Sequence, residues 1–350
     1  MMVKCKGCGI TLQSTDKNLP GYTPKPDTAY CQRCFRLIHY DDLTVSMRKG
    51  IEPDSILKQI SQMDGLILLV ADLFDFEASM IPGLKRILPG RDMILAVTKR
   101  DLLPDTVSHE KIAHFIFRRL KEEGTQIRDL VLTSSVQNEG MDELLSLIRQ
   151  YRKDRPVIVI GKANSGKSTL LNRLAGDSVL TASRYPGTTL DFNEITIDGI
   201  TFIDTPGIEI SQSILMETNE KDLKQILPAR TVKPQIFQLK NDQSFAVGGL
   251  ARVDVLGCTK ATAVWYCSDA LPIHRGKAEN ADVYWDKHYG EDLVPVPLHN
   301  QFRQYAKRKD EDKMDVVIDG LGWVCLSGDI RTVKVHVPKN VNVTFRKAMI

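Results

Sequence analysis

A glycine-rich octapeptide constrains the fold of this chain more than any other feature. Residues 161–168 read Gly-Lys-Ala-Asn-Ser-Gly-Lys-Ser and fit the pattern G-x-x-x-x-G-K-[ST]. The apolar run Val157–Ile160 precedes this loop, and Lys167–Ala175 follows it with the spacing of a helix. A strand, a loop that can curl around phosphate and a helix therefore succeed one another, which indicates an α/β architecture.

The chemistry of such a loop assigns a role to each of its defining residues. Gly161 and Gly166 let backbone N–H groups face a phosphate, because neither carries a Cβ. Lys167 is expected to bridge the outer phosphates, and Ser168 to place its hydroxyl on Mg²⁺. The predicted nucleotide-binding residues of the loop are Gly161, Asn164, Ser165, Gly166, Lys167, Ser168 and Thr169.

Two segments after the loop complete the predicted phosphate site. Residues 204–207 fit D-x-x-G at the end of an apolar run, so Asp204 is expected to hold Mg²⁺ and the Gly207 N–H to sense a γ-phosphate. Thr189, in preference to Thr188, is expected to bind Mg²⁺ when that phosphate is present; a turn before a strand is the alternative. The predicted magnesium ligands are Ser168, Thr189 and Asp204, and the predicted catalytic residues are Lys167, Thr189, Asp204, Gly207 and Asn164.

A base-recognition segment is predicted before the loop. Thr98-Lys99-Arg100-Asp101 is similar to N-K-x-D, in which the carboxylate accepts hydrogen bonds from guanine N1–H and the 2-amino group. Lys99 is expected to lie along the base and ribose. Thr98 departs from the usual Asn, whose part a hydroxyl could take in tying the two loops together. Ser134 and Ser135, after the next apolar run, are expected to bring an N–H to guanine O6.

The order of these motifs is rotated relative to a Ras-like GTPase, in which the phosphate loop and D-x-x-G come first. Here residues 98–101 and 133–135 come first. Strand-like runs alternate with helical spacing from Ile56 onward, which predicts a mostly parallel sheet with helices on both faces. After Gly207 short strand-like runs dominate, which predicts a β-rich domain, and the polar stretch 301–313 is expected to be a loop or short helix.

Two positions bear on the rate of the predicted reaction. Ile208 follows D-x-x-G where a Ras-like enzyme has a glutamine, so no side chain there can orient a water molecule. Asn164 stands where a group of related enzymes binds K⁺, and such a cation could offset charge in the transition state. A loop-shaping role is the alternative for Asn164.

Four of the seven cysteines have the spacing of a metal site. Cys5, Cys8, Cys31 and Cys34 form two C-x₂-C pairs that are separated by 22 residues, which predicts a closed four-thiolate Zn²⁺ site. The other three are Cys258, Cys267 and Cys325, and they are interpreted as buried thiols.

Composition bounds the remaining possibilities. The 350 residues suit two or three domains, for which we expect boundaries at 1–45, 46–212 and 213–350. The longest apolar run, Leu66–Ala71, is far below the ~18 residues of a membrane span. The net charge is +4 over residues 1–50, −4 over 51–214 and +3 over 215–350, which is compatible with nucleic-acid contact by the flanks or with an ordinary solvated surface.

Taken together, these motifs resemble those of the circularly permuted GTPases, specifically of the YqeH family. The resemblance includes the zinc knuckles 5–9 and 30–35, the segments Asp72–Phe76 and Gly320–Val324, and the rotated motif order. It implies a circularly permuted Ras-like P-loop GTPase domain between an N-terminal four-cysteine zinc module and a β-rich C-terminal domain that is suspected of binding RNA or protein.

The same resemblance implies a function. It is that of a GTPase that acts on a precursor of the small (30S) ribosomal subunit, through rRNA or ribosomal proteins. With Ile208 and Asn164, the expected protein is a slow switch that uses GTP, Mg²⁺ and K⁺. A cytoplasmic monomer without membrane contact is expected. The alternatives are an RNA-binding scaffold whose nucleotide site is structural, and an organellar homologue in mitochondrial or plastid ribosome assembly.

Overall fold

The computed structural model describes residues 11–15, 21–25, 28, 31, 53–176, 182–184 and 192–350. Their contacts divide them into two units, each of which is described by itself. The first unit takes the described residues of 1–72, 81–99 and 120–209, and the second takes 73–80, 100–119 and 210–350. The units thus alternate along the chain, whereas the predicted domains, which stay predictions, are contiguous.

The described part of the chain contains eight α-helices, most of which lie between the strands of its first half. The described α-helices are α1 (Pro53–Ser61), α2 (Phe76–Ser79), α3 (Leu84–Ile87), α4 (His109–Glu122), α5 (Met141–Arg152), α6 (Lys167–Ala175), α7 (Leu223–Ile226) and α8 (Ala281–His288). The Ser108 hydroxyl accepts a hydrogen bond from the Lys111 N–H at 3.3 Å and so caps α4. Within the described ranges, no helix has both the length and the apolar character that crossing a membrane requires.

The first unit contains a seven-stranded sheet. Its strands are β1 (Leu66–Asp72), β2 (Met93–Thr98), β3 (Asp129–Leu132), β4 (Val157–Gly161), β5 (Ala182–Arg184), β6 (Asn193–Ile197) and β7 (Ile200–Asp204). They lie in the order β3-β2-β1-β4-β7-β6-β5, and the five from β3 to β7 are parallel. The carboxyl ends of these five strands meet at one edge, so this edge receives the loops that follow β1, β2, β3, β4 and β7.

Burial explains why these segments form central strands. Every residue of β1, β2 and β4 is buried, as expected for parallel strands that are covered on both faces. Leucines of α5 and α6, among them Leu144 and Leu170, pack with Leu68 and Phe202 in one core. A fully buried leucine contributes roughly 1.5–3 kcal/mol of stability. β6 and β7 form an antiparallel hairpin, with positive φ at Asp198 (49°) and Gly199 (70°) in its turn.

The second unit contains two antiparallel sheets, which confirms the predicted β-rich character of the C-terminal region. Their strands are β8 (Gln235–Leu239), β9 (Gln243–Val247), β10 (Ala251–Leu256), β11 (Ala261–Cys267), β12 (Ile273–Lys277), β13 (Phe302–Arg308), β14 (Lys313–Ile318), β15 (Gly322–Gly328), β16 (Thr332–Pro338) and β17 (Val343–Lys347). The sheet orders are β12-β9-β10-β16-β13 and β17-β14-β15-β11-β8.

The prediction of a loop or short helix at 301–313 is wrong. Seven of these residues form β13, which pairs with β16 along its whole length. β13 lies at the edge of its sheet, where side chains on both faces reach water, so polar residues replace the apolar alternation that reveals an inner strand. Charged residues at such an edge also oppose pairing with other chains.

Residues 73–80 and 100–119 belong to the second unit through aromatic and ionic contacts. Phe74 packs against Trp323 with ring centroids 5.5 Å apart, and Phe76 meets the edge of Phe115 at 5.6 Å. The Asp75 carboxylate accepts a hydrogen bond from the Gly320 N–H at 3.0 Å. Two segments of the family resemblance, Asp72–Phe76 and Gly320–Val324, thus contact each other.

A buried ionic cluster extends these contacts. Glu77 accepts two hydrogen bonds from Arg119, at 2.9 and 2.7 Å, and one from Arg346 at 2.7 Å. Arg346 also approaches Asp315 at 3.3 Å and lies 4.4 Å from the centre of the Phe115 ring. Each charge in this cluster therefore has an opposite partner, which buried charges require.

Candidate nucleotide site

The phosphate loop connects β4 to α6 through a tight backbone path. Asn164 and Gly166 have φ values of 61° and 88°, in the left-handed region. A Cβ on Gly161 would lie 2.5 Å from the Val70 carbonyl oxygen and 2.7 Å from Ser165 Oγ. Only glycine fits at position 161, because both distances are shorter than any real carbon contact.

Lys167 is the buried charge of this loop. It is 8% exposed, and its ammonium donates to the Gly161 carbonyl at 3.3 Å. Burial lowers the pKa of Lys167, and the Asp204 charge works in the opposite direction. A buried ammonium with three N–H groups is strongly favoured by a nearby anion, so these residues fit a phosphate group.

Thr98 joins the base-recognition segment to the phosphate loop. Its hydroxyl lies 2.7 Å from the Ser165 carbonyl oxygen and 3.2 Å from that of Ala71. The single proton is best donated to Ser165, the nearer acceptor. The departure from asparagine therefore preserves a connection between the two loops within the first unit.

We expect Thr98→Val to weaken GDP binding about tenfold, because it leaves the buried Ser165 carbonyl without its donor, a cost of about 1–3 kcal/mol. Titration of purified protein with a fluorescent GDP analogue measures the effect. Thr98→Ser, which keeps the hydroxyl, is the matched control and should bind within about twofold of the natural protein. Equal affinity in the valine and serine variants would contradict the assigned contact.

Lys99 makes a second connection between the same loops. Its ammonium donates to Asp72 Oδ2 at 2.7 Å and to the Asn164 carbonyl oxygen at 3.1 Å. The backbone of Lys99 is left-handed, with φ of 60°. No sequence motif assigns Asp72 a role in the site; its place at the end of a buried apolar run, as for Asp204, is the available signal.

Asp101 lies in the second unit, in a short 3₁₀ turn at Arg100–Leu102. Its carbonyl oxygen accepts a hydrogen bond from the Thr231 hydroxyl at 2.8 Å, and the Leu102 carbonyl accepts from the Val232 N–H at 2.9 Å. The Arg100 guanidinium donates to the carbonyls of Leu103 and Val107 from a buried position. Residues far along the chain thus fix this turn, and no local pattern indicates Thr231 as one of them.

The D-x-x-G segment runs beside the phosphate loop. The Ile208 N–H donates to the Gly161 carbonyl at 3.1 Å, and the Ala163 N–H donates to the Ile208 carbonyl at 2.8 Å. A Cβ on Gly207 would meet the Ala163 backbone at 3.2 Å. The Ile208 side chain is completely buried, so it is withdrawn from any water that could act as a nucleophile.

The remaining predicted residues fall into three groups. Ser168 and Thr169 are exposed at the start of α6. Ser134 is buried and its hydroxyl accepts from the Gln137 N–H at 3.0 Å, whereas Ser135 is half-buried. Thr189, Cys5, Cys8 and Cys34 lie outside the described residues. Cys31 is described and buried, and no cluster of three potential metal ligands occurs among the residues that the structure covers.

Fold and site together define the class of protein, a P-loop GTPase with a rotated motif order. A family model described as "50S ribosome-binding GTPase" matches residues 156–246, and one described as "YqeH-like, C-terminal" matches 260–349. A Bacillus subtilis protein, named "Uncharacterized protein YqeH", is 36% identical in an alignment of 365 positions that covers 99% of each chain. The chain therefore belongs to the YqeH family, and the predicted resemblance and GTPase activity are confirmed.

Other relatives are more distant. "NO-associated protein 1, chloroplastic/mitochondrial" of Arabidopsis thaliana is 26% identical in an alignment of 406 positions that covers 97% of this chain and 72% of that protein. Among solved structures, GNP-bound YlqF from T. maritima is 20% identical, with 49% of this chain and 65% of that chain covered and a TM-score of 0.32. YjeQ from Thermotoga maritima is 22% identical over 42% and 49% of the two chains, with a TM-score of 0.26.

Proposed function

We propose that this GTPase is a nucleotide-controlled switch in the assembly of the small ribosomal subunit. The observation that carries the proposal is the pair of side-chain contacts, from Thr98 and Lys99, that joins the base-recognition segment to the loop around Lys167. A site built in this way serves to hold a guanine nucleotide. The match of residues 156–246 to a family model that is named for ribosome binding supports a ribosomal task.

The chain's own residues supply most of the proposed chemistry. The backbone of the phosphate loop orients the phosphates, and the Lys167 ammonium offsets their charge. Asp101, two residues after Lys99, is proposed to select guanine. Ser168 and Asp204 fit the donor set of Mg²⁺, with Thr189 as a third oxygen ligand, and the ion would neutralise charge that develops on the phosphates. Hydrolysis is expected to be slow, because the buried Ile208 orients no water.

Two further metals are proposed from the sequence, K⁺ from the place of Asn164 in the phosphate loop and Zn²⁺ from the cysteine spacing. Asn164 has two alternative roles, which are to bind K⁺ and to shape the loop. Its left-handed backbone suits the loop-shaping role as well. Comparison of GTP hydrolysis in KCl and in NaCl decides between them. A four-thiolate zinc site at Cys5, Cys8, Cys31 and Cys34 predicts one zinc per chain by elemental analysis, and its loss on Cys31→Ser.

The main question is which ribosomal subunit the protein binds, because the matching family model is named for the 50S subunit and we propose the 30S subunit. Sedimentation of the purified protein with separate 30S and 50S subunits, with a non-hydrolysable GTP analogue or with GDP, tests the proposal. We expect co-sedimentation with 30S subunits that depends on the analogue. Binding to 50S subunits alone, or binding that ignores the nucleotide, would refute it.

An RNA-binding scaffold with a structural nucleotide site is the second candidate. The edge strand β13 favours it, because Lys307 and Arg308 stand exposed there and could contact phosphates. The proposed switch requires GTP hydrolysis, whereas the scaffold does not. A Lys167→Ala protein that still restores 30S assembly in depleted cells would favour the scaffold. We propose that the protein acts in the cytoplasm as a monomer in either case.

A further inference from the structure

The Asp72 carboxylate is a buried charge to which neither the phosphate chemistry nor the proposed magnesium set assigns a task. It ends β1, is 5% exposed, and lies at the sheet edge that also carries the ends of β2 and β4. Burial of a carboxylate is costly unless an opposite charge and hydrogen bonds compensate it. The ammonium of Lys99, at 2.7 Å, provides that compensation.

Lys99 connects Asp72 to the phosphate loop. Its ammonium contacts Asp72 and also donates to the Asn164 carbonyl at 3.1 Å, so one group connects β1, the residue after β2 and the phosphate loop. The Lys99 side chain is 28% exposed, against 7% for that of Asp72. A lysine side chain is flexible and its ammonium is readily hydrated, so without the carboxylate it would be free to turn toward water.

We propose that Asp72 is a positioning residue for guanine-nucleotide binding, which acts by holding the Lys99 ammonium against the Asn164 carbonyl. This inference rests on the proposed role of Lys99 beside the base and ribose. The Asp72–Lys99 pair keeps the base-recognition segment and the phosphate loop at a fixed spacing before a nucleotide arrives. Preorganisation of this kind strengthens binding of every guanine nucleotide equally and leaves the hydrolytic step unchanged.

Asp72→Asn tests the proposal, because the amide has the shape of the carboxylate but lacks its charge. We expect the dissociation constants of GDP and of a non-hydrolysable GTP analogue to rise about tenfold together. KM for GTP should rise with them, while kcat stays within about twofold of the natural protein. The matched control is Asp92→Asn, since Asp92 precedes β2 at the opposite end of the sheet and pairs with Arg128 and Arg155. It should bind as the natural protein does.

A double-mutant cycle separates positioning from a purely structural role. In a Lys99→Met background, Asp72→Asn should change GDP affinity no further, because the group through which it acts has gone. An equal loss in both backgrounds, or an unchanged affinity of the single variant, would overturn the proposal. If Asp72→Asn does not fold, Lys99→Met alone removes the ammonium that the carboxylate is proposed to hold, and natural GDP affinity in that variant would count against the proposal. A natural protein that binds no guanine nucleotide would instead refute the proposed function.

Discussion

Lys167→Ala should reduce GTP hydrolysis on the order of 10³-fold, because the phosphates lose the buried ammonium that offsets their charge in the transition state. Nucleotide affinity should fall as well. Single-turnover hydrolysis by the purified protein measures the first effect, and titration with labelled GDP measures the second. Lys58→Ala removes an exposed charge from α1 and is the matched control, with a rate expected to be unchanged. A rate within tenfold of the natural protein would contradict the assigned role.

The same lysine predicts how affinity depends on pH. Burial holds the pKa of Lys167 below its ordinary value of 10.5, against the opposing effect of Asp204, and bound phosphate should raise this pKa again. A group whose pKa rises on binding gives full affinity below its pKa in the free protein, and the affinity falls as pH rises through that value. GDP binding should therefore weaken as the pH rises through the lowered pKa of the free protein, which lies below 10.5, and affinity that rises with pH there would show the opposite linkage.

Glu77→Ala should destabilise the second unit by about 3–5 kcal/mol, the typical cost of breaking a buried ion pair from one side. The variant leaves Arg119 and Arg346 facing each other without the carboxylate between them. Urea denaturation followed by tryptophan fluorescence measures the loss, since Trp265 and Trp323 are both buried in this unit. Hydrolysis can be assayed on the same samples below the unfolding transition.

The control for this prediction is an ion pair on the surface of the same unit. Lys277 and Glu279 are both more than half exposed, so Glu279→Ala should cost less than about 1 kcal/mol. Burial works to raise the pKa of Glu77, but Arg346 and Arg119 outweigh it and hold the pKa below 4.5. Its contribution is therefore complete above pH 4.5 and is lost as pH falls through the depressed pKa. Similar losses in the two variants would contradict the assigned strength of the cluster.

Much of the GTPase sheet could be predicted from sequence because each buried strand is a short apolar run that ends in a motif. β1, β2, β4 and β7 end at Asp72, Thr98, Gly161 and Asp204, and parallel strands bring such ends to one edge. The order of the motifs along the chain predicted the class as well. It also singled out Thr98 as a departure, although only the tertiary structure shows that its hydroxyl reaches the Ser165 carbonyl.

The rest depends on contacts that no local pattern reports. Glu77 and Arg346 are 269 positions apart, and Asp101 and Thr231 are 130 apart. β13 escaped prediction because an edge strand needs no apolar face. The sequence shows Asp72 as a carboxylate at the end of a strand, but it predicts for Lys99 only a contact with the nucleotide and not the ion pair with Asp72.

The position of β4 in the middle of the sheet has a consequence for the nascent chain during translation. β1 pairs with β2 on one side and with β4 on the other, and every residue of β1 is buried. Translation delivers β4 roughly 90 residues after β1, a delay of about 5–18 s at 5–20 residues per second. During that interval β1 lacks the neighbour that pairs with one of its edges, and an unpaired strand edge favours pairing with other chains. We therefore expect the nascent chain to be prone to aggregation until β4 has been synthesised and can pair with β1.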